Sequence, residues 1–255
     1  MEKNTGSIAQ IRQEFEQAQE RDWDTLIEKY TPDARIGVRG IVKKYEKKKE
    51  TLKKERLRLE AMRRFEHEYE YLGYVCGIDE AGRGPLAGPV VAGAVILPRD
   101  CEILWLNDSK QLTGKKREEL YDRIMDQAVA AAVGMAYPGR IDEINILQAT
   151  YEAMREAISR LSVRPQVLLN DAVRIPGTEI MQVPIIKGDA KSVSIAAASI
   201  IAKVTRDRLM CEYDKVMPQY GFAGHKGYGS AAHIEAIRKY GPSPIHRQSF
   251  LKNLL

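Results

Sequence analysis

At 255 residues and 44% hydrophobic, the chain has enough apolar sequence for one substantial core and a smaller satellite. Charged residues make up 29%, near the average for ordered domains, which excludes global disorder. The net charge of +5 and pI near 9.0 suit a nucleic-acid partner without demanding one.

Cys76, Cys101 and Cys211 are scattered, with no Cys-x-x-Cys spacing and no nearby histidine pair, so neither a disulfide framework nor a zinc site is expected. Met1–Ser7 lacks the apolar core of a signal peptide, and no window approaches 18 uninterrupted apolar residues. The expectation is a cytoplasmic protein with no membrane partner, acting as a monomer.

Residues 1–70 form a region of their own. Ile8, Ile11, Phe15 and Ala18 recur near helical spacing, and Trp23–Tyr30 continues the pattern until Thr31-Pro32-Asp33 breaks it. Ile41–Tyr71 reads as a charged helix with a loose apolar stripe. Residues 35–70 carry 13 Lys/Arg against 7 Asp/Glu, whereas residues 1–34 carry 4 against 8. That excess is either a solvated face or one turned to nucleic acid. A boundary near residue 70 separates a helical, basic accessory region, 1–70, from a second domain, 71–255.

From Gly73 the texture turns glycine-rich and apolar. Gly73–Ile78 predicts a strand and Val90–Leu97 a long buried one, and the short connection between them favours antiparallel pairing. Thr113 is placed to cap a helix through Lys115–Gln127, and Ala128–Tyr137 predicts a third strand. Asp142–Leu161 is amphipathic and ends before Pro165. Val167–Leu169 predicts a strand delivering Asn170-Asp171. Glu179–Ile186 predicts another, with Pro184 confining it to an edge or a bulge. The run Ile195–Lys203 has a small-residue face suited to close packing on a sheet. Strands interleaved with helices give a mixed α/β fold.

Carboxylates thus fall just beyond three strands: Asp79 and Glu80, Asp171, and Asp189. Four acids brought together repel unless cations neutralise them, which points to a divalent site of oxygen ligands, Mg²⁺ or Mn²⁺. Two such ions, about 3.5–4 Å apart, serve phosphoryl hydrolysis. Separate readings stand beside this one. Asp189 suits the N-cap of the next helix and Asp171 an ordinary turn. Adjacent strand residues face opposite ways, so Asp79 and Glu80 share a site only if the chain leaves strand geometry there, which Gly82 and Gly84 permit. Arg83 on that glycine turn suits a phosphate. Ser109 and Lys110 suit a backbone phosphate or plain surface, and His225 and His246 read as polar surface.

The stretch Asp79-Glu80-Ala81-Gly82-Arg83-Gly84-Pro85 resembles the signature of the ribonuclease HII family. Asp108-Ser109-Lys110-Gln111-Leu112, Gly188-Asp189, Ser194–Asp207, His225-Lys226-Gly227-Tyr228-Gly229 and His246-Arg247-Gln248-Ser249-Phe250 match in the same order, from about residue 73 onward. The resemblance implies a ribonuclease H-like mixed β-sheet flanked by helices, with a helical N-terminal extension and a helical C-terminal region. It implies metal-dependent cleavage of RNA in RNA–DNA hybrids and at single ribonucleotides in duplex DNA, leaving 5′-phosphate and 3′-hydroxyl ends. Asp79, Glu80, Asp171 and Asp189 match the metal-binding and catalytic acids. Gly82, Arg83 and Gly84 match the turn that reads the 2′-OH, and Tyr228 the tyrosine stacked under the next sugar. Two departures stand out: Ala172-Val173-Arg174 follows Asp171 where many members have Gly-Asn, and residues 1–70 exceed the minimal pattern. The rival readings are ribonuclease HIII, which has Gly-Lys-Gly at the turn, and a catalytically silent nucleic-acid-binding module of the same fold.

Overall fold

The computed structural model describes residues 6–252 and falls into two units, Met1–Arg58 and Leu59–Leu255. Most of the Met1–Ser7 stretch lies outside the described residues.

The first unit holds α1 (Ile8–Gln17), α2 (Trp23–Tyr30) and most of α3 (Ile36–Met62). Ser7 and Gln10 form a reciprocal capping box that satisfies two otherwise orphaned N–H groups and starts α1. Ile11, Phe15, Trp23, Tyr30, Val38 and Tyr45 bury together, with the Phe15 and Tyr45 rings 4.6 Å apart. The charged helix expected from Ile41 therefore starts earlier, because Val38 belongs to this core. It also stops earlier. Arg63 interrupts it, its guanidinium donating to the Arg99 carbonyl, and α4 (Arg64–Tyr69) follows as a separate helix.

The second unit runs β1 (Val75–Ala81), β2 (Val90–Ile96), α5 (Gly114–Gln127), β3 (Ala130–Ala136), α6 (Pro138–Ser159), β4 (Val167–Asp171), β5 (Met181–Ile185) and α7 (Val193–Val216). Three short helices close it: α8 (Phe222–His225), α9 (Ala231–Tyr240) and α10 (Gln248–Leu251). The sheet order is β3-β2-β1-β4-β5, with β1 antiparallel to β2 and parallel to β4. Pro184 sits on β5, an edge strand, where a missing N–H is tolerated. Thr113 caps α5 by accepting from Lys116 N–H. The amphipathic helix begins at Pro138 rather than Asp142. It is interrupted at Asn145, φ 68°, whose side-chain oxygen accepts from Leu147 and Gln148 N–H and restarts the helix.

Alternation sorts the central strands onto two faces. Cys76, Ile78, Ala92 and Ala94 pack with α6, and Val95 packs with α7. α7 lies almost in contact with β1: a Cβ on Gly77 would stand 2.0 Å from the Ser194 carbonyl carbon. Ser192 caps α7 and also donates to Glu66, whose other partner is the Ser194 N–H. Among the described residues no helix is long and apolar enough to cross a membrane.

Candidate active site

The parallel pairing of β1 and β4, with Ile78 opposite Asn170, brings Asp79 and Asp171 side by side at the same sheet edge. Asp189 joins them from the turn after β5, where the Gly188 N–H donates to Asp171 Oδ1 at 2.7 Å. Asp189 is not the cap of α7, since Ser192 fills that role.

Strand geometry does not end before the acids. Pairing continues through Asp79↔Gly93, Glu80↔Ala92 and Ala81↔Val91, and the strand ends only before Gly82. Asp79 turns to the α7 face, where Ser199 hydrogen-bonds it, and Glu80, 3.2 Å from Arg83, still feels the charges of Asp171 and Lys110. The two carboxylates still act on one another. Burial, then the Glu80 charge, pushes Asp79 well above the usual carboxylate range. Burial raises Glu80 too, opposed by Arg83. Burial, then Asp108 and Asp171, raises Asp189. Lys110 answers this charge. Burial lowers its pKa, but Asp108, Asp79, Asp189 and Asp171 outweigh it and leave the ammonium favoured.

These groups suit a hard divalent cation: every donor is a carboxylate oxygen, and their mutual repulsion is only partly offset by Lys110 and Arg83. Among the described residues no three potential ligands already close on one point. A cavity of about 490 Å³ opens elsewhere in this unit, between Val75, Ile96 and Val193, and none of the four acids lines it.

Gly82 follows immediately, with φ +90°, a conformation side chains rarely adopt. A Cβ there would lie 2.0 Å from Arg206 Nε. Tyr228 is 47% exposed, and its Cε1 is 3.9 Å from where a Gly84 Cβ would be, so ring and turn are neighbours. Ser109 is buried with its hydroxyl 2.9 Å from that of Ser199, so it supports the Asp79 side rather than facing outward. His246 is buried, and His225 is half-buried with its Nε2 on the Tyr220 carbonyl, correcting their reading as polar surface.

Sequence reasoning missed the residues that hold this edge together. Arg206 and Arg247 are among the most buried large side chains of the protein. Arg206 donates to the carbonyls of Ala87, Pro89 and Lys226, and Arg247 to those of Gly82, Arg83 and Gly88. The only signal was membership of the family-like motifs, Arg206 in Ser194–Asp207 and Arg247 in His246–Phe250.

A mixed five-stranded sheet covered by helices, with carboxylates at the edge of its central parallel pair, defines a ribonuclease H-like enzyme. The family model for ribonuclease HII matches residues 76–253, and that for the ribonuclease HII N-terminal domain matches residues 7–70. Ribonuclease HII from Lachnoclostridium phytofermentans is 61% identical over 247 residues, covering 97% of each chain. That from Clostridioides difficile is 51% identical over 251 residues, covering 98% of each. The crystal structure of ribonuclease H2 from Pyrococcus horikoshii OT3 superposes with a TM-score of 0.58 at 31% identity, covering 71% of this chain and 96% of that one. The chain belongs to the ribonuclease HII family. It is a divalent-metal-dependent endoribonuclease of ribonuclease H type 2, and neither rival reading is favoured.

Proposed function

We propose that this enzyme, working as a monomer, cuts the RNA strand of RNA–DNA hybrids and cuts 5′ to single ribonucleotides embedded in duplex DNA, leaving 5′-phosphate and 3′-hydroxyl ends. The observation that carries the reading is the adjacency, along one strand and its exit, of acids at Asp79 and Glu80 and a glycine turn at Gly82–Gly84. In this reading Asp79, Glu80, Asp171 and Asp189 hold Mg²⁺ or Mn²⁺. When bound, the ions supply positive charge to the attacking water, the phosphoryl oxygen and the leaving 3′ oxygen.

The chain's own residues do the remainder. Lys110, drawn toward the acids, offsets the charge of the scissile phosphate. Gly82, Arg83 and Gly84 bring backbone groups and one guanidinium to the ribonucleotide, whose 2′-OH both donates and accepts. Tyr228, half in solvent beside Gly84, offers a ring face to the next sugar. Ser109 contributes through Ser199 rather than by touching phosphate. An open acidic edge suits a polymer that lies across it.

Residues 1–70 are the accessory region of this reading, and 71–255 the catalytic domain. Lys43, Lys44, Lys47 and Lys53 are exposed on α3 and form no ion pair among the described residues. They give the first unit a cationic stripe for duplex phosphates. Replacing all four by Gln in the full chain is expected to flatten the salt dependence of duplex binding. Unchanged affinity and slope would make the stripe a solvated face.

The deciding assay is cleavage of a duplex carrying one ribonucleotide, with Mg²⁺ or Mn²⁺ and with chelator. Metal-dependent cutting on the 5′ side is expected, and Asp79→Asn should abolish it. Undiminished cutting by that variant would overturn the assignment.

A further inference from the structure

Arg206 and Arg247 pose an energetic problem. Both guanidinium groups are buried, neither forms an ion pair among the described residues, and every hydrogen bond they make goes to a backbone carbonyl. Burying an uncompensated cation costs several kcal/mol, and well-packed apolar side chains often serve a core as well or better. Burial, and then the neighbouring Arg206, pull Arg247 down to about 9, which reflects that cost. Filling space does not explain them. What they gain is direction, since a guanidinium is a planar fork that fixes several acceptors at once.

The acceptors lie at the substrate edge. Arg247 donates to Gly82 O at 2.5 Å and Arg83 O at 2.8 Å. In a trans peptide the carbonyl and the following N–H point in opposite directions. Drawing those two carbonyls inward turns the N–H groups of Arg83 and Gly84 outward. Neither N–H has a protein acceptor among the described residues. Two backbone donors are thereby presented at the turn beside the acids.

The same guanidinium pair ties this turn to the one carrying Tyr228. Arg247 also holds Gly88 O, while Arg206 joins Ala87 O and Pro89 O to Lys226 O, each at 2.9 Å. Backbone bonds complete the connection: Leu86 N–H to Gly227 O, Gly88 N–H to Ile245 O, and Arg247 N–H to Leu86 O. The two turns therefore cannot shift independently.

We infer that Arg247, supported by Arg206, is a positioning residue for ribonucleotide discrimination: it aims the Arg83 and Gly84 N–H groups at the substrate and fixes their distance from Tyr228. The inference rests on reading Gly82–Gly84 as the ribonucleotide-recognising turn. It separates two properties that a simple packing role would join, because Arg247 touches the turn and none of the four acids.

The test compares full-length Arg247→Lys, Arg247→Met and Gly84→Ala with the parent, on a duplex holding one ribonucleotide and on a continuous RNA–DNA hybrid. Losing the fork should lower kcat/KM on the single-ribonucleotide duplex by about 10- to 100-fold. The loss should be several-fold smaller on the hybrid, where consecutive 2′-OH groups offer alternative registers. Met should be worse than Lys, which keeps the charge and part of the bonding. Calorimetric Mn²⁺ affinity should stay within about twofold of the parent, as no acid has lost a contact. Equal losses on both substrates, or an unchanged ratio in Arg247→Lys, would overturn the inference. If Arg247→Met does not fold, Arg247→Lys and Arg206→Lys decide. Gly84→Ala separates the layers, since its Cβ meets only the Tyr228 ring, at 3.9 Å. A changed ratio there with none in Arg247→Lys removes the positioning role alone. No change in either variant removes the turn as reader as well.

Discussion

Acidification should weaken the Tyr228 side of the site through a buried histidine pair. His233 Nε2 and His246 Nε2 are 3.0 Å apart. His233 Nδ1 is 2.9 Å from Tyr228 O, so it must donate there, leaving Nε2 as acceptor. His246 Nδ1 accepts from the N–H and hydroxyl of Ser243, leaving its Nε2 to donate. The network admits this one assignment, with both rings neutral. A proton added to either ring sets two donors face to face. Burial, and then the neighbouring His233, hold His246 down to about 4, and burial also lowers His233. For a histidine whose folded pKa is depressed, the stabilisation is complete above the unfolded value of about 6.5 and is lost as pH falls through about 4. At about 1.36 kcal/mol per pKa unit, His246 accounts for roughly 3 kcal/mol. Calorimetric melts between pH 7 and pH 4 measure it. Carboxylates titrate in the same range, so the informative quantity is the difference between parent and His246→Gln. The parent's melting temperature should fall about 6–12 °C further across this range than the variant's. Parallel curves for the two proteins would refute the neutral-pair account.

Three further outcomes follow from the geometry. Asp79 carries a raised pKa, so its charge opposes folding at neutral pH without metal; Asp79→Asn should raise the melting temperature in chelator, by about 2–4 °C for each kcal/mol relieved, while abolishing cleavage. A lower melting temperature would show that the carboxylate stabilises the fold. Gly77→Ala forces a Cβ into the α7 backbone at Ser194 and should cost about 3 kcal/mol or more in urea unfolding, whereas Gly40→Ala, with open space around it in α3, should stabilise the first unit by about 0.5–1 kcal/mol. A neutral Gly77→Ala would mean that the helix moves away at little cost.

The elements were legible where local signals agreed. Thr113 before Gly114–Gln127, Pro184 on an edge strand and the short link between β1 and β2 each act within a few residues, and each emerged as read. Adjacency of the strand-end acids was legible from topology alone, because β1 and β4 are parallel and their carboxyl ends coincide. The extent of β1 was not, since continuation through Ala81 is decided by partners on β2 about 12 residues away. Asn145 looked like an ordinary helix residue, yet its side chain restarts the helix. His246 looked like surface because histidine is polar; only the fold supplies His233 and Ser243 to satisfy both ring nitrogens. Arg206 and Arg247 escaped for the same reason at greater range, their acceptors lying up to 165 positions away in sequence.

That range follows from the topology. Asp79 and Glu80 sit at the end of β1, and the turn proposed to read the ribose begins at Gly82, in the segment that returns the chain into β2. A connection between antiparallel strands has few bonds of its own, yet in the proposed reading it must hold two N–H donors in register with the ribonucleotide. Side-chain support for residues 82–89 arrives from α7 through Arg206 and from the chain after α9 through Arg247. In the proposed reading, three of the metal ligands, Asp79, Glu80 and Asp171, are fixed by backbone pairing at strand ends and Asp189 by the turn after β5, while the ribose-reading groups lie on a turn fixed by buried cations. Substitutions in the two sets should fail differently, the first in metal affinity and kcat, the second in the choice between ribonucleotide-containing substrates.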